Sequence, residues 1–96
     1  MTNLEIAAVF RDIGDLLAKK KENWFKIRSY RKAAEEIEKL TVDLSRLAEE
    51  GKLREIPGVG EAIEKKITEM LNTGRLQFYE KLKAEVGVNC GEQSPK

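Results

Sequence analysis

The sequence predicts an all-α fold, a small bundle of four to five helices. Three observations carry that prediction. Apolar residues recur at helical spacing in successive stretches, and no stretch alternates apolar and polar residues over the length of a strand. Aromatics make up only 6% of the 96 residues while charged side chains make up 36%, which suits a small helical domain better than a sandwich or barrel. A chain this short holds one hydrophobic core.

Thr2 and Glu5 form a capping-box pattern ahead of Ile6, Val9, Phe10, Ile13, Leu16 and Leu17, so a first helix is expected from about Asn3 to Lys20. Gly14 lies inside it, at a cost of about 1 kcal/mol relative to Ala unless something packs closely there. A second helix begins near Phe25 and turns Ile27, Tyr30, Ala33, Ala34 and Ile37 inward. Thr41 or Asp43 can cap a short third helix through Leu44 and Leu47, ended by Gly51. A brief helical turn from Lys52 leads into Ile56-Pro57-Gly58-Val59-Gly60. Another helix then carries Ile63, Ile67, Met70 and Leu71 to a stop at Asn72-Thr73-Gly74. The last helix, from about Leu76, uses Tyr79 and Leu82 and is expected to break at Gly87. That makes residues 1–86 the domain and residues 87–96 a flexible tail.

Composition excludes much chemistry. With no His and a single Cys, the chain lacks the usual zinc sets, the Ser-His-Asp and Cys-His pairs, and any internal disulfide. No apolar run approaches the roughly 20 residues of a membrane span, and the amino terminus lacks the layout of a signal peptide, so a cytoplasmic location without a membrane partner is expected.

Eighteen basic and seventeen acidic side chains nearly cancel, but they are unevenly placed. From Lys19 to Lys32 seven basic residues stand against Glu22 alone, a local +6. From Glu35 to Glu50 six acidic residues stand against Lys39 and Arg46, a local −4. Such polarity steers a polyanion to one side of a nearly neutral molecule, although a charge run is just as often a solvated helix face.

The most informative stretch is Leu53 to Ile63. Gly58 and Gly60 let the backbone bend sharply and approach a ligand, while Val59 plugs the bend into the core. The amides that follow begin a helix at about Glu61, where free N–H groups and the helix dipole favour a phosphate. A Pro-Gly-x-Gly turn alone is a weak signal; its place between a short apolar turn and an Ile-x-x-x-Ile helix strengthens it.

This hairpin resembles the helix-hairpin-helix motif. Phe25-Lys26-Ile27-Arg28-Ser29-Tyr30-Arg31-Lys32-Ala33-Ala34 resembles the second helix of the amino-terminal domain of family X DNA polymerases, especially the bacterial and archaeal members. The resemblance covers roughly residues 3–86. It implies a domain that grips the phosphate backbone of single-stranded or gapped DNA, as in DNA repair polymerases. Their polymerase active site lies in later domains, so no nucleotide transfer is expected of these residues. By the same resemblance Gly58, Val59, Gly60, Lys26, Tyr30, Arg31 and Arg54 are the phosphate-binding set. Lys66 matches the Schiff-base lysine of members that remove a 5′-deoxyribose phosphate, chemistry that suits an amine of lowered pKa. The carbonyls of Arg54, Ile56 and Val59 match those that hold Na+ or K+ in such hairpins; no other cofactor is implied. Without the resemblance, Lys66 reads as an ordinary solvated lysine.

The sequence also departs from that pattern. Ala62 and Phe78 stand where the lyase pocket has basic residues, and Glu61 places a carboxylate at the helix end that should receive a phosphate. Trp24 enters the loop before the second helix with no evident core role. Gly14, Ala18 and Lys21, at i, i+4 and i+7, lie on one helical stripe leading toward it. A shaved face beside an aromatic anchor suits another protein as partner. Trp24 capping the core, or stacking on a base, are the competing expectations.

Overall fold

A computed structural model describes residues 1–93 of the chain, with side chains through Val86. The described residues form five α-helices and one 3-10 turn, with no strand: α1 (Asn3–Lys19), α2 (Trp24–Glu38), α3 (Leu44–Glu49), the turn Leu53–Glu55, α4 (Glu61–Thr73) and α5 (Gln77–Gln93).

α1 opens on the complete capping box, with Thr2 Oγ1 accepting the Glu5 N–H and the Glu5 carboxylate accepting the Thr2 N–H. It ends in a Schellman motif. The Glu22 N–H donates to the Leu17 carbonyl and the Lys21 N–H to that of Ala18, with Lys21 at φ +60°, a place that usually belongs to glycine.

α1 and α2 run antiparallel, pinned by Arg11–Glu38 near one end and Arg31–Asp15 further along. Ala33 and Ala34 are fully buried in this seam, and Gly14 adds a close approach: a Cβ on it would stand 3.0 Å from Arg31 Cγ. α5 runs beside the same helix in the parallel sense, with Tyr79 donating its hydroxyl proton to Asp12 and Lys20 paired with Glu85. Phe10, Ile13, Ile37, Leu53, Ile67, Met70 and Leu76 fill the core among these elements.

Two expectations change. Asp43 occupies the N-cap of α3 but makes no capping bond; Asn3, from the start of α1, supplies it instead, accepting the Leu44 N–H at 2.9 Å and donating to the Val42 carbonyl. The reason is reach, since packing brings the amide of Asn3 to that helix end. The last helix, moreover, does not stop at Gly87. α5 continues to Gln93, because a glycine without positive φ weakens a helix by about 1 kcal/mol and does not end it. The remainder of the expected tail, residues 94–96, lies outside the described residues.

Candidate nucleic-acid interface

The hairpin is a type II turn. Pro57 and Gly58 are its central residues, the Val59 N–H donates to the Ile56 carbonyl at 3.1 Å, and Gly58 has φ +84°. Only glycine reaches that φ without strain, and space forbids a side chain as well: a Cβ on Gly58 would lie 2.9 Å from Lys32 Cγ on α2. Val59 is buried and anchors the bend, while Gly58 and Gly60 stay exposed. Gly60 is the N-cap of α4, and no side chain caps that helix. Of the amides of the first turn of α4 that point out of the helix, none is taken by a side chain.

These exposed glycines form part of the rim of an open cleft of about 810 Å³. Its walls come from the end of α1, the first half of α2, the first half of α4 and the first half of α5. The cleft gathers Lys26, Tyr30, Gly58 and Gly60 of the expected phosphate-binding set, together with Lys66, the expected Schiff-base lysine. Lys26 and Tyr30 are one helical turn apart on α2, and Ala62 and Lys66 one turn apart on α4, so each pair shares a face.

Lys66 is partly buried, with no ion-pair partner among the described residues. Its Nζ lies 4.8 Å from the centre of the Phe78 ring and 6.0 Å from that of Tyr30. Burial holds its pKa below the usual lysine range, opposed by the charge of Glu69. Tyr30, itself buried between Phe10 and Phe78, has its hydroxyl pKa raised by burial.

Other expected residues lie elsewhere. Arg31 turns to the α1 side of α2, where its stem covers Gly14 and its guanidinium meets Asp15 at 3.1 Å. Arg54 is held by Glu64 at 2.9 Å, also outside the cleft. Of the seven cations between Lys19 and Lys32, Lys20, Arg31 and Lys32 are thus engaged with carboxylates. The Ile56 carbonyl, one of the three expected around Na+ or K+, spends one lone pair on the turn.

The bare stripe expected at Gly14, Ala18 and Lys21 is not formed. Ala18 and Lys21 are exposed, but Gly14 is buried because its missing side chain makes room for Arg31. Trp24, the first residue of α2, is 58% exposed and caps no core. Reading along the sequence missed Phe25, Lys81 and the constructive part of Phe78, all of which line the cleft. For the two on α5, the signal was the i, i+3, i+7 spacing of Phe78, Lys81 and Glu85, which places them on one face of that helix.

An uncapped helix start behind a glycine bend, flanked by lysines, defines a small all-α module of the nucleic-acid-binding kind. The model of the helix-hairpin-helix domain family matches residues 1–76, and the chain belongs to that family. No curated protein matches the chain. Among the described residues no helix is long and apolar enough to cross a membrane.

Proposed function

We propose that this domain binds single-stranded or gapped DNA by its sugar-phosphate backbone, in the manner of the amino-terminal domain of family X repair polymerases. The observation that carries the reading is the uncapped N-terminus of α4, opening beside Gly58 and Gly60 onto the cleft that holds Lys26 and Lys66. Outward N–H groups and the positive end of the helix dipole meet phosphate oxygens without reading bases, and the lysines add charge. Na+ or K+ on the carbonyls of Arg54, Ile56 and Val59 would leave the hairpin amides free for the same strand. A fluorescent gapped oligonucleotide is expected to bind with an affinity that falls steeply with salt, because each neutralised phosphate releases counterions. Absence of binding at low salt, or binding indifferent to salt, contradicts the reading.

A second reading, lyase chemistry at a 5′-deoxyribose phosphate, is favoured by the lowered pKa of Lys66. A neutral amine attacks the sugar aldehyde and expels water to form an iminium; loss of the adjacent proton then drives out phosphate. Against this, Ala62 and Phe78 add no charge to the cleft, and Glu61 opposes an anion at its rim. Backbone binding is therefore the primary function.

A further inference from the structure

We infer that the interior of the cleft accepts an unpaired nucleobase, stacked on Phe78, while the phosphates of the same strand stay at the hairpin rim. The inference rests on the nucleic-acid reading and names which part of the strand enters.

The cleft is poorly built for a phosphate inside it. Lys20, Lys26, Lys66 and Lys81 line it together with Glu22, Glu61 and Glu85, and Lys20 is already paired with Glu85. The remaining field is close to neutral, whereas desolvating a phosphate requires compensating charge or several donors. Among these charges two aromatic rings face solvent: Phe25 is 74% exposed and Phe78 37% exposed.

Phe78 has the features of a stacking platform. Tyr30 lies against it at a centroid distance of 6.1 Å, with the planes 15° apart, and is itself buried against Phe10. The ring thus has a buried, near-parallel neighbour. Lys66 reaches over the ring on its flexible stem. Its Nζ lies nearer the Phe78 centroid, at 4.8 Å, than that of Tyr30, at 6.0 Å. A base laid on the exposed part of the Phe78 ring takes the place of that ammonium and keeps Lys66 within reach of its carbonyl or ring-nitrogen acceptors. Stacking uses the π-face that every base has, and the volume of about 810 Å³ lies within the range of pockets that hold molecules of nucleotide size.

The test is a duplex with a short 5′ overhang whose terminal nucleotide is 2-aminopurine, compared with one ending in a tetrahydrofuran abasic analogue, each with and without a 5′-phosphate. Loss of the terminal base is expected to weaken binding about tenfold, with removal of the phosphate changing it less than twofold. Binding is expected to quench the 2-aminopurine, and Phe78→Leu to abolish the quenching and the base dependence while leaving the helical circular dichroism and the salt slope intact. Should Phe78→Leu fail to fold, the wild-type comparison of terminal base with abasic end decides alone. Equal affinity for both ends together with a marked loss on dephosphorylation overturns the inference and leaves the backbone reading standing. Failure to bind any of the four at low salt overturns both.

Discussion

Lys66 shows how much one side chain depends on what surrounds it. In the sequence it is one of eighteen basic residues, and only the family resemblance singled it out. In the fold it is a partly buried amine against two aromatic rings, with no carboxylate paired with it among the described residues. Burial shifts it toward the neutral, nucleophilic form, the property on which the proposed lyase reading rests. With an oligonucleotide carrying a 5′ abasic sugar, borohydride is expected to trap a covalent adduct that Lys66→Ala removes; an adduct undiminished in that variant contradicts the assignment. Gly14 is the opposite case. Its helical position was plain in the sequence, but a missing side chain reads equally as a surface shaved for a partner and as room for a neighbour, and only Arg31 Cγ at 3.0 Å decides between them.

Among the elements, α4 sets stability against binding. Gly60 at its N-cap has extended backbone angles and nothing within 4 Å of a Cβ, so Gly60→Asp fits without strain and supplies the missing cap. That variant is expected to gain a few tenths of a kcal/mol in urea denaturation. It should also lose DNA affinity, because its carboxylate would occupy the amides and repel phosphate. A gain in both, or a loss in both, would show that these amides are not the phosphate grip. The junction of α5 with α1 makes a separate prediction about pH. Burial and the hydrogen bond to Asp12 push the Tyr79 hydroxyl up to about 12, and burial alone raises Tyr30. A phenol raised in the folded state stabilises the fold fully below its unfolded pKa of about 10, and that contribution disappears as pH climbs toward the folded value. Alkaline titration by tyrosine absorbance is therefore expected to show neither tyrosine ionising normally near pH 10, with both appearing as helicity is lost. A tyrosine titrating at about 10 in a fully helical Tyr30→Phe variant, where only Tyr79 remains, contradicts the Tyr79–Asp12 contact.

For the whole molecule, the helices were legible because each carries its own punctuation: Thr2 with Glu5 starts α1, Gly51 follows α3, and Gly74, at φ +75°, ends α4. The hairpin was equally legible, since its glycines answer a local demand. What the sequence does not display is which faces meet. The distribution of charge suggested seven cations for a polyanion, but folding sets Asp15, Glu36 and Glu85 against three of them, from the same helix and from two others. Nor does periodicity reveal that α5 turns Phe78 onto Tyr30 to make an aromatic wall, because that contact joins residues 48 positions apart. The proposed phosphate grip depends on the outward amides of the bend and of the first turn of α4. Amide chemical shifts during titration with a short single strand at low salt test it most directly. The largest changes are expected at Gly58, Gly60, Glu61 and Ala62, with smaller ones at Lys26 and Lys66. Shifts confined to Trp24 and its neighbours, with the hairpin amides unmoved, would contradict the account.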